Sequence, residues 1–238
     1  TIENLTEEWG GLLLTGPEAR NVLSQCTQED LSNNAFSWLS CKTIKIDSAD
    51  VFAMRVSYAG ELGWELHMPS WQVISIYESL FEMGSPLGLK DFGGQAFNSM
   101  RLEKMYRAYG AEFTEEISAL EAGMERFLDL NRDFIGADNI RERMSSGIKT
   151  KLAYLIFDDQ VPAECFGNEA VFSDGELTGI ITSGAYGHRV GHSIAFAYLK
   201  TEHCNDGASL TVETSLGSRS CHVSMNASYD QTNEKLCS

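Results

Sequence analysis

The texture of the sequence changes once, at Ser145-Ser146-Gly147, and that change constrains the fold more than any other feature. Beyond it come short β-rich stretches at Lys151 to Phe157, Glu169 to Phe172, Leu177 to Ser183, Ser193 to Tyr198, Ser209 to Glu213 and Arg219 to Met225. Turn signals such as Asp174-Gly175 and Asp206-Gly207 separate them, which predicts a small antiparallel β-barrel or sandwich. Before it, helical and strand patterns are mixed. The expected architecture is therefore α+β followed by all-β, with domains at 1–148 and 149–238.

In the first part, Pro17 suits the first turn of a helix over Glu18 to Gln25, following a short strand Leu12 to Leu14. Val51 to Ser57 alternates apolar with small or polar residues and leads into residues 58–68, read as a strand, a glycine-bearing turn and a second strand. Ser70 is the expected N-cap of a helix whose apolar positions Val73, Ile74, Ile76, Tyr77, Leu80 and Phe81 recur at three and four, with Gly84 ending it. Further helices are predicted from Phe92 to about Tyr106, with Phe97, Met100, Leu102 and Met105 inward, and from Ala137 to Met144.

Charge narrows the partners. Against 18 Lys+Arg stand 34 Asp+Glu, a formal net charge of −16, which repels phosphate backbones and anionic lipid, so neither nucleic acid nor a membrane is an expected partner. A site for a small anion must then be built from a few placed arginines. The 6 cysteines include no CxxC pair and no Cys/His cluster at zinc spacing, so no metal site is expected. Sparse cysteines read as reduced, buried thiols of an intracellular protein, in cytoplasm or, in a eukaryote, the mitochondrial matrix. The chain opens on Thr1-Ile2-Glu3-Asn4 without an initiator methionine, the mark of a processed product, an excised domain or an incomplete reading frame.

Three constellations carry potential chemistry. In Ser57-Tyr58-Ala59-Gly60-Glu61-Leu62-Gly63-Trp64-Glu65, glycines let backbone approach a flat ligand. There Tyr58 can stack on a heterocycle and Glu65 can accept paired hydrogen bonds from its N–H edge. The same residues also describe an ordinary hairpin with a solvated Glu61 and core aromatics. Arg101, Lys104 and Arg107 share a helix face able to hold a carboxylate; equally, Arg101 can pair with Glu103 or another acid as a buried structural pair. Thr182 to Arg189 is a polar loop, with His188 and Arg189 adjacent, or simply a turn. No GxSxG elbow, P-loop or GxGxxG spacing is present.

Taken in order, Tyr58 to Glu65, Arg101-Leu102-Glu103-Lys104, Leu120-Glu121-Ala122-Gly123, Asp133-Phe134-Ile135-Gly136 and Thr182-Ser183-Gly184-Ala185-Tyr186 resemble the motif series of the glycine-cleavage T-protein (aminomethyltransferase) family. The resemblance runs over essentially the whole chain. Asn98 to Lys104 and Ser193 to Tyr198 look most like the C-terminal folate domains of dimethylglycine and sarcosine dehydrogenases. It implies part of a T-protein-type folate-binding fold, a ferredoxin-like α+β portion followed by a C-terminal β-barrel. It also implies tetrahydrofolate as cofactor, with Tyr58 flanking the pterin, Glu65 binding its edge, and Arg101 forming the pocket or meeting the folate carboxylates. The implied activity is one-carbon transfer from a small amine or sulfonium donor.

The family's catalytic carboxylate is an aspartate nearer the N-terminus of the fold, and no residue here matches it. No flavin domain is present either. By resemblance the chain is a C-terminal portion, expected to be inactive by itself, and its missing strands predict a homodimer or a partner chain that covers the exposed edges. Two alternatives remain open at this point: a non-catalytic folate-fold module with an interaction or regulatory role, and a sulfonium demethylase of the same family.

Overall fold

Four stretches between residues 9 and 69 alternate more and less buried side chains with a period of two, and together they build a four-stranded antiparallel sheet. Its strands are β1 (Trp9–Thr15), β2 (Cys41–Ile46), β3 (Ala49–Met54) and β4 (Gly63–Pro69), in spatial order β1-β4-β3-β2, so β1 and β2 are the edges. Leu14, Ile44, Val51, Trp64, Leu66 and Met68 point to one face, where helices α1 (Ala19–Cys26) and α2 (Val73–Gly84) pack through Val22, Leu23, Ile76 and Leu80. Full burial of each such side chain contributes about 1.5–3 kcal/mol. The alternate residues, among them Leu13, Phe52, Met54, Glu65 and His67, lie on the opposite face; none of them joins the core cluster.

This computed structural model describes residues 1–162 and 165–238, and it divides into two packing units, Thr1–Phe97 with Asp230–Ser238, and Asn98–Tyr229. Helix α3 (Gly94–Glu103) crosses the division. The second unit contains α4 (Ala137–Ser146) and six strands: β5 (Thr150–Phe157), β6 (Ala170–Ser173), β7 (Glu176–Gly187), β8 (His192–Lys200), β9 (Ser209–Thr214) and β10 (Gly217–Ser224). They close into a barrel in the order β10-β5-β8-β7-β6-β9, which settles the choice between barrel and sandwich. Alternation again sorts the side chains. Leu155, Ala195, Ala197 and Val212 fill one cluster, while Tyr154, Ile194 and Phe196, one residue out of phase, form another with Leu102 of α3.

Local readings differ from the structure in four places. Residues 57–62 are bends rather than a strand, because Gly60 at φ 75° takes the chain through a left-handed turn before β4 begins. Ser70 opens a single 3-10 turn, Ser70–Gln72, and donates its hydroxyl to the Glu7 carbonyl; it does not cap α2, which begins at Val73. On that helix Ile74 and Tyr77 are exposed, so the apolar stripe is wider than the face that is buried. Helix α3 is shorter than expected, and Met105 at φ 56° turns the chain away after it.

The packing units are also a different partition from the sequence boundary at 148. Residues 98–146 join the barrel unit through bonds such as Asn98 to the Gly184 carbonyl, Ser99 to the Tyr186 carbonyl and the Leu152 amide to the Glu121 carbonyl. Segment 230–238, with α5 (Glu234–Cys237), belongs with the sheet, where it buries Leu236.

Candidate functional site

Strand β4 positions the central acid. Its odd-numbered residues face away from the helices, so Trp64 goes into the core and Glu65 onto the open face. Register places Leu13 of β1 and Met54 of β3 directly across from Glu65, one on each side. The Glu65 side chain keeps 36% of its exposure, and its Oε2 lies 3.4 Å from Nε2 of His67, two residues along the same face. Among the described residues no lysine or arginine pairs with it. Here is a carboxylate flanked by apolar side chains on a half-open sheet face, able to accept two N–H groups from the edge of a planar ligand.

Tyr58 precedes β4 in the bent segment. Its ring packs on Phe97 with centroids 5.6 Å apart, and Phe97 in turn stacks on Phe92 at 6.2 Å. Such tilted and offset pairs present an aromatic surface to which another flat ring can add. Close packing holds the segment at both ends. Ser57 and Thr15 share a hydroxyl hydrogen bond of 3.1 Å, and a Cβ on Gly63 would stand 2.8 Å from the Leu14 carbonyl, so only glycine fits there.

Arg101 lies in the barrel unit and is engaged internally. Its Nη1 donates to Glu112 Oε2 and to the Tyr106 carbonyl, both at 2.8 Å, its Nη2 to Ser183 at 2.8 Å and its Nε to Asn98 at 2.9 Å. Both side chains of the Arg101–Glu112 pair are buried, at 3% and 0% exposure. A bulge in β7 between Ile181 and Ser183 lets two consecutive hydroxyls reach one oxygen, so Thr182 at 2.7 Å and Ser183 at 2.5 Å both donate to Glu112 Oε1. The Ala108 amide and the Tyr198 hydroxyl complete the grip on Glu112 and its carbonyl. Burial pushes the Tyr198 phenol up and the neighbouring Arg107 guanidinium down from their ordinary values. The Arg101 guanidinium is thus held by protein groups, and its buried partner is Glu112, the other acid that the buried-pair reading allowed beside Glu103.

Glu103 has its own arginine. It accepts from the Arg189 side chain and, at 2.7 Å, from the Arg189 amide, while Arg189 also lies over the Tyr229 ring at 3.8 Å. His188 meets the edge of Tyr186 at 5.1 Å. Most of the stretch read as a polar loop is strand, since β7 runs to Gly187, and the turn after it supplies through Arg189 a clasp to Glu103 of α3. Sequence reasoning missed Glu112, which sits in a turn-rich segment without periodicity, and His67, whose spacing of two from Glu65 was a usable signal once β4 was assigned.

Known proteins share both the order of parts and the fold. The family model for the GCVT N-terminal domain matches residues 1–132, and that for the glycine cleavage T-protein C-terminal barrel domain matches residues 151–230. Mitochondrial dimethylglycine dehydrogenase of Homo sapiens is 39% identical over 215 residues, covering 89% of this chain and 25% of that protein. Mitochondrial sarcosine dehydrogenase of Homo sapiens is 32% identical over 196 residues, 82% of this chain and 21% of that protein. An aminomethyltransferase of Thermoanaerobacter pseudethanolicus is 29% identical, covering 89% of this chain and 57% of its own. The chain therefore spans about a quarter of the length of the dehydrogenases it matches. The crystal structure of glycine cleavage system aminomethyltransferase T from Bartonella henselae superimposes with a TM-score of 0.81 at 21% identity, over 94% of this chain and 60% of that one, which shows a common fold. Two family models in the expected order, an α+β region leading into a closed barrel, and relatives matched over nearly nine-tenths of the sequence place this chain in the glycine cleavage T-protein family.

Proposed function

We propose that the chain carries the pterin-edge and barrel parts of a tetrahydrofolate-dependent one-carbon transferase, as the folate half of an amine dehydrogenase of the dimethylglycine or sarcosine type. The observation that carries this reading is Glu65, a carboxylate on the exposed sheet face between Leu13 and Met54, with only a half-exposed histidine beside it. That donor set fits a pterin. Glu65 would accept the ring N–H and amino hydrogens, and the Tyr58–Phe97 pair would lie against the ring. Apolar neighbours would exclude water and so strengthen the charge-assisted bonds. Bound tetrahydrofolate supplies the amines that accept the one-carbon unit. The role of Glu65 in this reading is to orient it rather than to transfer a proton.

Arg101 has a positioning role in this reading, holding the loop 104–112 to α3 and β7 through Glu112. The division of the sequence into a folate-binding portion at 1–148 and a barrel domain at 149–238 is kept as one of family modules. Relatives named as mitochondrial favour the mitochondrial matrix over the cytoplasm, and no helix among the described residues is long and apolar enough to cross a membrane. The edges of β1 and β2 support a homodimer or a partner chain as the completing surface. Titrating tetrahydrofolate into the protein and into Glu65→Gln, read by tryptophan fluorescence, tests the site: equal affinities in the two would remove Glu65 from it.

A further inference from the structure

Glu65 does not stand alone on the open face of the sheet. His67 projects from β4 on the same side, and the tips of the two side chains meet: His67 Nε2 lies 3.4 Å from Glu65 Oε2, with 36% of each side chain exposed. Register sets Gly11 of β1 and Phe52 of β3 on either side of His67. A Cβ on Gly11 would stand 3.3 Å from Nδ1 and 3.5 Å from Cε1, so the imidazole lies close against β1, in room that a larger residue would take up. The ring is thus placed by its neighbours, with Nδ1 against the strand and Nε2 beside the carboxylate.

The carboxylate also decides which nitrogen carries the hydrogen. A lone pair on Nε2 would face a negatively charged oxygen, so the neutral imidazole keeps its hydrogen on Nε2, as the charged ring does in any case. At 3.4 Å this N–H is steered by Glu65 and not consumed by it, because a full N–H···O bond spans about 2.7–3.2 Å. The two side chains therefore offer, side by side, two acceptor oxygens and one N–H donor. That row complements a ring edge with two N–H groups next to a carbonyl, the edge of a 2-amino-4-oxopyrimidine. It mismatches the 4-amino counterpart, which would set an NH2 group against the imidazole N–H.

We propose that His67 is a specificity-determining residue of this site, donating from Nε2 to the ring carbonyl of a 2-amino-4-oxo heterocycle whose neighbouring N–H groups Glu65 accepts. The inference rests on the reading of Glu65 as the pterin-edge carboxylate. It adds the chemical form of the ring that is selected: the lactam, with its carbonyl oxygen, over the amino-substituted ring. The wrong ring leaves the imidazole N–H without an acceptor or facing another donor, and that is what it is rejected by.

Tetrahydrofolate and its 4-amino analogue, tetrahydroaminopterin, are titrated by tryptophan fluorescence into the protein, His67→Leu, His67→Gln and Glu65→Gln. His67→Leu is expected to weaken tetrahydrofolate about tenfold while the 4-amino analogue binds no more weakly than before. His67→Gln keeps an N–H donor and is expected to retain most of the tetrahydrofolate affinity. Equal loss of both ligands in His67→Leu would reduce His67 to a support for Glu65 and overturns the proposal. Unchanged tetrahydrofolate binding in that variant, or a His67→Gln as weak as His67→Leu, overturns it too. Glu65→Gln separates the two readings. If it binds tetrahydrofolate as the unaltered protein does, the pterin-edge reading falls and this inference with it; a loss there with none in His67→Leu overturns this inference alone. If His67→Leu does not fold, nuclear magnetic resonance of the imidazole nitrogens decides. The Nε2–H signal that is missing from His67→Gln moves downfield in the unaltered protein with tetrahydrofolate and stays in place with the 4-amino analogue; equal shifts with both, or none, overturn the proposal.

Discussion

The barrel unit and the sheet unit place their central carboxylates differently. In the barrel unit three arginines each face a carboxylate: Arg101 with Glu112, Arg189 with Glu103, and Arg219 with Asp159 at 2.5 Å. In the sheet unit Glu65, on the face away from the helices, has only a half-exposed histidine beside it. Paired charges, with two donors on each oxygen of Glu112, lock one arrangement of α3, the loop after it and β7. Glu65, with no lysine or arginine beside it among the described residues, is left able to accept a donor. The difference separates groups that specify the fold from groups that can bind, and it does so without reference to any motif.

The largest expected effect comes from breaking a pair in the barrel unit. Glu112→Ala leaves the Arg101 guanidinium buried and unmatched and strips Thr182, Ser183 and the Ala108 amide of their acceptor, so a loss of about 3–5 kcal/mol is expected in urea unfolding. Replacing both partners, Arg101→Met with Glu112→Leu, is expected to recover most of that loss. A double variant as unstable as the single one would mean that the network matters for its hydrogen bonds to the loop rather than for charge matching.

Next comes the pH at which the barrel opens. Burial, the leading cause at both sites, pushes the thiols of Cys165 and Cys221 from the ordinary 9.0 up to about 12. A group whose folded value is raised gives stability that is intact below the unfolded value and disappears as the pH climbs from there to the folded one. The barrel is therefore expected to lose stability between pH 9 and 12, by at most about 4 kcal/mol for each thiol. Circular dichroism in urea across that range measures it, and Cys221→Ala should flatten the decline. Cys41, exposed on β2, should react with a thiol reagent at pH 8 while Cys165 and Cys221 remain protected.

How far these contrasts were legible in the sequence depends on how local their causes are. The barrel strands were readable because each carries its own alternation and is closed by its own turn, as at Asp174-Gly175. Glu65 was singled out by the glycines and aromatics around it, and that it faces away from the core follows from the parity of β4. The glycine-bearing turn ahead of β4 was readable, but the strand expected to lead into it stops at Met54, because Gly60 takes a left-handed path that alternation of side chains does not report. Glu112 was invisible for a different reason. Its partners are 11, 70 and 71 residues away, and a bulge, not a pattern, brings Thr182 and Ser183 to it.

The two smallest effects fall on the sheet unit and sharpen the contrast most. Glu65→Gln keeps the shape of the side chain and disturbs no ion pair with a lysine or arginine, so stability should stay within about 0.5 kcal/mol. Its tetrahydrofolate affinity should fall about tenfold, or 1.4 kcal/mol. Tyr58→Leu removes an aromatic surface that is stacked on Phe97 and is expected to weaken folate binding by about 1 kcal/mol, roughly fivefold. Tyr58→Phe should restore the affinity, because it is the ring face and not the hydroxyl that would meet the pterin. If Tyr58→Phe is as weak as Tyr58→Leu, the hydroxyl is the group that matters and the stacking argument fails. If instead both bind normally while Tyr58→Leu is destabilised, the Tyr58–Phe97 pair belongs with Glu112 among the groups that hold the fold, and the sheet unit is less open than its charges make it look.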